Sequence, residues 1–292
     1  MLKIDLMNNK NIWDSFVTKA PFYTFFHSWA WGDFSSNTGE QVLRYGIFEA
    51  NKLIGAAQII KVYAKRGTYL FCPHGPIFTA GKRGYWNFFL KFLKELGTTE
   101  KVDFVRVSPV LEDLKKNQDY FKKARFINAP IHMSAENSWM LDLSDKKEEN
   151  LLSQMRKTTR YEIKKAQKLG FEVIKSVAPK DLKIFLNLYH HTVGRTNFVP
   201  FSDKYITGEF LTFVKDNCAM LFLEKHHKKF VAALMVIFFG KGAYYHQGAS
   251  QPRFKETVSY LAQWEAILEA KKRGCSYYNF WGIAPTDNKK HP

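Results

Sequence analysis

Apolar and polar positions fall into two similar series of alternating runs. The first predicts a strand at Tyr45–Phe48, a turn at Glu49-Ala50-Asn51-Lys52, and a strand from Leu53 to Val62. A strand at Thr68–Cys72 follows, then a loop at Pro73-His74-Gly75-Pro76, a helix from Tyr85 to Leu96, and a strand at Asp103–Val107 before Pro109. The second series predicts strands at Met220–Leu223, Phe230–Phe239 and Gly242–His246. A loop then opens at Gln247-Gly248, a helix runs from Val258 to Arg273, and a strand at Ser276–Trp281 stops before Pro285. The two series keep the same order and the same punctuation at an offset of about 175 residues, which reads as an internal duplication. Helices precede the strands of each half; in the second they are expected at Glu148–Leu169, Pro179–Val193 and Ser202–Asp216.

A mostly antiparallel sheet with one helical crossover between neighbouring strands, preceded by helices, is the plan of an N-acyltransferase domain. The expected fold is therefore α/β (α+β), a tandem duplication of acetyltransferase-like domains with mixed, mostly antiparallel sheets, flanking helices and a cleft between the domains. The boundary is expected in the charged run Ser144–Glu149, giving domains 1–146 and 147–292.

Leu151 to Gly170 is the most basic amphipathic stretch. Leu152, Met155, Ile163 and Ala166 recur at helical spacing, and Gly170 stands where a helix C-cap glycine belongs. Arg156, Lys157, Arg160, Lys164 and Lys168 occupy the other faces, with Glu162 the only acid between Gln154 and Phe171. Such a face is either solvated, its cations aided by the helix C-terminus, or a groove wall that holds phosphate through forked, always-charged guanidinium groups.

Composition sharpens this. The 44 Lys and Arg against 27 Asp and Glu leave a net charge of +17, which suits a polyanionic partner and equally suits a solvated basic surface. The longest apolar run, Val231–Phe239, has nine residues, too few to cross a bilayer as a helix. Met1–Lys10 is polar and lacks the apolar core of a secretion signal, so a cytoplasmic location is expected. The three cysteines have neither metal-ligand nor redox spacing, and the doublets His190-His191 and His226-His227 read as surface rather than metal sites.

Four stretches in order give the chain a family likeness: His27-Ser28-Trp29-Ala30-Trp31-Gly32; Gly55-Ala56-Ala57-Gln58 leading to Pro73-His74-Gly75-Pro76; Met155–Gly170 followed by Thr192–Phe198; and Tyr244–Ser250 with Tyr260–Glu265 and Tyr277–Gly282. Together they resemble the Fem family of peptidoglycan bridge-forming transferases. The resemblance implies paired acetyltransferase-like domains and a reaction in which a stem-peptide amine attacks the ester carbonyl of an aminoacyl-tRNA. It implies two partners, aminoacyl-tRNA and a muramyl-pentapeptide precursor that is nucleotide- or lipid-linked, with no separate cofactor and no metal. Both partners are polyanions, so the positive balance gains a reason. A lipid-linked acceptor would bring a basic protein into peripheral contact with the inner face of the membrane.

By the same resemblance Arg195, in a polar loop before Asn197 and Phe198, is the first candidate to bind the precursor's diphosphate, with Arg160 and Lys157 behind it. Arg106, in the otherwise apolar Val105-Arg106-Val107, faces either a cleft or an acid such as Asp103. Trp31, Tyr245 and Tyr205 are candidates to line the substrate cleft, although aromatic residues more often build cores. No general base is evident, and backbone amides near Gly248 are candidates to meet an oxyanion.

The chain departs from the family pattern in three places. Ser108 stands where many relatives carry an acid, Ser35-Ser36 where a lysine is common, and His291-Pro292 where relatives continue into a Gly- and Phe-rich segment. Two other functions compete. An acyl-CoA-dependent N-acyltransferase would need a pyrophosphate cradle, for which Gln251–Thr257 has no glycine and Gly81-Lys82-Arg83-Gly84 is a closer fit. A non-catalytic RNA-binding protein would use basic and aromatic residues as a stacking platform, but no RNA-recognition signature is present.

Overall fold

The computed structural model describes residues 1–65, 67–135, 137–144, 147–194, 199–251 and 258–283. The chain divides into two compact units, Met1–Ser134 and Ala135–Pro292.

The first unit holds β1 (Leu2–Leu6), α1 (Lys10–Val17), α2 (Trp29–Asn37), β2 (Gln41–Glu49), β3 (Lys52–Ala64), β4 (Gly67–His74), β5 (Ile77–Phe78), α3 (Arg83–Thr99), β6 (Phe104–Pro109) and α4 (Lys115–Lys123). Its strands run in the order β1-β2-β3-β4-β6, with β5 paired to β3. Every pairing is antiparallel except β4 with β6, which α3 connects as a crossover. Tyr85, Trp86, Phe89, Leu90, Leu93 and Leu96 of α3 lie at helical spacing and pack on Ile47, Ile59 and Leu70 of the sheet.

The second unit holds β7 (Asn137–Asp142), α5 (Glu148–Gln154), α6 (Lys157–Lys168), β8 (Phe171–Ser176), α7 (Leu182–Val193), α8 (Asp203–Lys215), β9 (Ala219–His226), β10 (Lys229–Phe239), β11 (Gly242–Ser250), α9 (Tyr260–Lys272) and β12 (Tyr277–Ile283). The sheet order is β7-β12-β11-β10-β9-β8, with β11 and β12 the parallel pair. The succession β1-α1-α2-β2-β3-β4-α3-β6 in the first unit is repeated as β8-α7-α8-β9-β10-β11-α9-β12 in the second. The central β10 is buried along nearly its whole length, as a strand covered on both faces must be. Leu261, Trp264, Ile267 and Ala270 of α9 pack on Phe222, Leu234 and Val236 on one face of the sheet.

Three features differ from the sequence reading. The division falls after Ser134 rather than at 146, because β7 pairs with β12 and so completes the second sheet. The expected helix Glu148–Leu169 is broken: Met155 and Arg156 are extended, and Arg160 Nη1 turns back to donate to the carbonyls of Ser153 and Met155 at the end of α5. Gly170 does follow α6 with φ +77. The short strands β1, β7 and β8 were not expected from the pattern. Among the described residues no helix is long and apolar enough to cross a membrane, and no group of His, Cys, Asp or Glu is placed to hold a metal ion.

Candidate functional site

The parallel pair behaves differently in the two units. In the first, β4 and β6 stay in register over six pairs, from Tyr69↔Phe104 to His74↔Pro109. The closure continues past the strands, since His74 N donates to Ser108 Oγ (3.1 Å) and Val110 N to the His74 carbonyl (3.1 Å). In the second, β11 and β12 pair only through Gly242↔Tyr277, Ala243↔Tyr278 and Tyr244↔Asn279. Beyond Asn279, β12 follows β7 alone, and Trp281 adopts φ +65 with its N–H held by Asn279 Oδ1 at 2.7 Å. Among the described residues the two strands therefore part after Tyr244 and Asn279.

At the same level β11 carries a bulge. Tyr245 pairs with Val236 and Gln247 with Met235, which makes His246 the extra residue. Its Nδ1 lies 2.6 Å from Glu209 Oε1 of α8, with side-chain exposures of 8% and 0%. The Glu209 oxygens have no hydrogen-bond partner among the described residues, so this is a close but oblique carboxyl–imidazole contact. The Trp281 ring meets the imidazole edge-on, centroids 5.3 Å apart at 90°. Below them the Tyr244 and Tyr277 hydroxyls lie 2.6 Å apart. Those two rings fill the space over Gly242, where a Cβ would come 2.6 Å from Tyr244 Oη.

The N-terminus of α9 is where an acetyltransferase-like domain would receive an anion. Here Glu224, from the buried face of β9, occupies it: Oε2 accepts from Ala262 N at 3.0 Å and the carboxylate also meets the Ser259 backbone. Glu224 is wholly buried, and burial raises its carboxyl to about 7 despite those two bonds. An internal carboxyl group thus engages backbone at the start of α9, where a pyrophosphate would otherwise bind.

In the first unit the segment His27–Gly32 is a structural junction. Trp13 Nε1 donates to the His27 carbonyl (2.7 Å), and Ser28 Oγ caps α2 by accepting from Trp31 N (3.1 Å). Arg44 stacks on Trp29 at 3.8 Å and bonds Asp33 Oδ1, the Trp29 carbonyl and Gln58 Oε1. Gly32 is required there, because a Cβ would overlap Arg44 Nη2 and Gln58 Oε1. His74 Nδ1 lies 2.8 Å from Thr24 Oγ1, and Thr24 N donates to His27 Nδ1 at 3.0 Å. Burial lowers His27 to about 4 and His74 to about 3, so both rings are neutral at pH 7.

The residues singled out by sequence are divided between the two units, Trp31 and Arg106 in the first and the others in the second. Arg195 lies outside the described residues; three residues before it, Thr192 Oγ1 accepts from Ser250 N (2.9 Å), tying the end of α7 to the end of β11. Lys157 is exposed at the start of α6, whereas Arg160 spends one nitrogen closing α5. Arg106 is half-buried, donates to the Ile131 carbonyl and lies 5.9 Å from the Phe71 ring centre. Asp103 instead accepts from Thr68 N at 2.7 Å. Trp31 is buried among Phe25, Phe26 and Phe34 in the first unit.

Tyr205 is half-buried and stacks on Phe201 at 4.4 Å. Tyr245 turns to the α9 side, where its hydroxyl reaches Gln263 and covers Gly248, leaving no room for a Cβ there. Gly248 itself pairs with Leu234 in the ladder. Sequence reasoning missed His246, Glu209 and Glu224. The available signal was an acid on each apolar face: Glu209 shares its helix stripe with Ile206, Phe210 and Phe213, and Glu224 shares its strand face with Phe222.

A profile of the FemAB family matches residues 9–225 and 215–291. No curated protein matches the sequence. Among solved structures, FemX superposes with TM-score 0.83 at 17% identity, covering 99% of this chain and 91% of that one. L-PGS from Bacillus licheniformis gives 0.57 at 12% identity over 96% and 80% of the two chains. A tandem GNAT protein from the clavulanic acid biosynthesis pathway gives 0.58 at 9% over 98% and 91%. At such identities these structures share the fold, two acetyltransferase-like domains in tandem.

Proposed function

Since the chain belongs to the FemAB family, we propose that it is an aminoacyl-tRNA-dependent transferase that extends the stem peptide of a peptidoglycan precursor. The observation that carries the reading beyond the family is the parting of β11 and β12 in the second unit. Amide formation needs a carbonyl held against backbone while an amine approaches it, and a parted parallel pair offers that room. The net charge of +17 suits two polyanionic substrates. Arg195 and Lys157 are the proposed phosphate contacts, and Tyr205 a candidate to flank the precursor. Arg160 and Arg106 each have donors already committed to backbone carbonyls, which weakens them as anion ligands.

The α9 N-terminus weighs against an acyl-CoA-dependent reaction, because Glu224 Oε2 already accepts from Ala262 N there. The proposed site of action is the cytoplasmic side, with peripheral contact at the membrane if the acceptor is lipid-linked.

The test is to incubate the protein with a mixture of charged tRNAs bearing labelled amino acids and a nucleotide-linked muramyl pentapeptide. Mass spectrometry of the peptide should show an added labelled residue. Arg195→Ala should raise the KM for the precursor about 10- to 100-fold, the loss expected for one charge-assisted contact to phosphate. No extension with either the nucleotide- or the lipid-linked acceptor would remove the transferase reading.

A further inference from the structure

We propose that His246, oriented by Glu209, is the catalytic residue that takes the proton from the attacking amine; this rests on the transferase reading above. Glu209 is a carboxylate with no exposed surface, and neither oxygen has a hydrogen-bond partner among the described residues. A buried carboxylate without compensation is costly, and the His246 imidazole at 2.6 Å is the group placed to supply it. Nδ1 lies on the Glu209 side of the ring, so proton transfer is assigned to Nε2, with the neighbouring carboxyl stabilising the positive charge that the transfer creates.

Position separates this pair from a packing contact. His246 is the extra residue of the β11 bulge, at the level where β12 has left the ladder. A bulge re-aims a side chain, and here it does so at the opening rather than within the regular sheet. Trp281, the residue that turns β12 away, packs edge-on against the same imidazole. The other deeply buried histidines differ: His27 and His74 contact a threonine and each other, with burial holding them neutral.

The step balances without a further reactant. The amine nitrogen bonds to the ester carbonyl carbon and yields a proton to Nε2. When the tetrahedral intermediate collapses, the bond from that carbon to the ribose oxygen breaks. The imidazolium then returns the proton to the departing oxygen, leaving an amide and a free tRNA hydroxyl.

The labelled-transfer assay tests this with wild type, His246→Ala, His246→Gln and Glu209→Gln, each checked for fold by circular dichroism. His246→Ala should lose about 10²- to 10⁴-fold in kcat with KM for both substrates little changed, and added imidazole should restore part of the loss. Glu209→Gln, a positioning change, should lower kcat about 10-fold or more at unchanged KM. A folded His246→Ala or His246→Gln within about threefold of wild type overturns the assignment. So does a loss that imidazole leaves untouched in a folded His246→Ala. A wild type inactive with every acceptor removes the transferase reading itself, whereas an active wild type with equally active variants removes only His246.

Discussion

Replacing Glu224 by glutamine isolates the energetics of the α9 N-terminus. The carboxyl stands at about 7 in the folded protein against an ordinary 4.5, because burial outweighs the bonds from the Ala262 and Ser259 backbone. Below pH 4.5 the folded and unfolded chains both carry the proton, and Glu224 imposes no cost. Between 4.5 and about 7 the unfolded chain releases the proton while the folded one keeps it, so stability falls as pH rises. At about 1.4 kcal/mol per pH unit, that interval amounts to roughly 3 kcal/mol lost by pH 8. Glutamine keeps an acceptor for Ala262 N and does not titrate. Its amide would stand where Oε1 has no partner among the described residues, a pH-independent cost of about 1–3 kcal/mol. The informative quantity is therefore the change with pH, not the stability at one pH. Hydrogen exchange of the α9 amides, corrected for the intrinsic pH dependence of exchange, should show wild type losing protection between pH 5 and 8. Glu224→Gln should remain nearly flat over the same range. Parallel profiles for the two proteins would refute the reasoning, since they would mean that Glu224 ionises as readily in the folded unit as in the unfolded chain.

Two further outcomes follow from buried or committed side chains. His27 and His74 stand at about 4 and about 3 against an ordinary 6.5, so the first unit's stability is full above pH 6.5 and falls as acid charges the unfolded chain first. Protection of the α2 amides should drop between pH 6.5 and 4, opposite in sign to α9; protection unchanged down to pH 4 would contradict it. Arg160→Lys should cost about 1 kcal/mol of local stability by freeing the Ser153 and Met155 carbonyls, while transfer stays within a fewfold of wild type. A tenfold rise in the KM for the precursor would instead make Arg160 a phosphate ligand.

The fold was legible wherever periodicity was long. β3, β10 and the crossover helices α3 and α9 lie within two to three residues of their expected bounds, because their buried stripes fix both register and extent. The short strands were hidden for different reasons. β7 is exposed over nearly all its length, so it carries no apolar alternation, and β8 buries only Phe171 and Ser176. The break at Met155 was hidden because the apolar positions keep helical spacing through it; it is stabilised by Arg160, a contact formed through space. The site was less legible than the fold. His246 lay inside a motif already singled out, but its partner sits 37 residues upstream on α8, and the bulge that exposes it depends on register with β10.

The same succession of elements gives one closed and one open sheet, and the difference comes down to a few residues at equivalent places. In the first unit the parallel pair is closed to its end by Ser108 Oγ and the His74 carbonyl, and the rings beneath it are kept neutral by burial. In the second, Asn279 holds the Trp281 N–H and Trp281 takes a left-handed backbone, a conformation that costs roughly 1–3 kcal/mol for a bulky residue and persists only when its surroundings enforce it. The surroundings here are β7, which continues to pair with Gly282 and Ile283, so β12 keeps one neighbour as it leaves the other. β12 is thereby held along its β7 edge while its β11 edge is unpaired among the described residues. Duplication alone would have produced two closed pairs or two open ones. The strand added at one edge of the second sheet is what lets a single unit hold an opening beside a buried histidine–carboxylate pair.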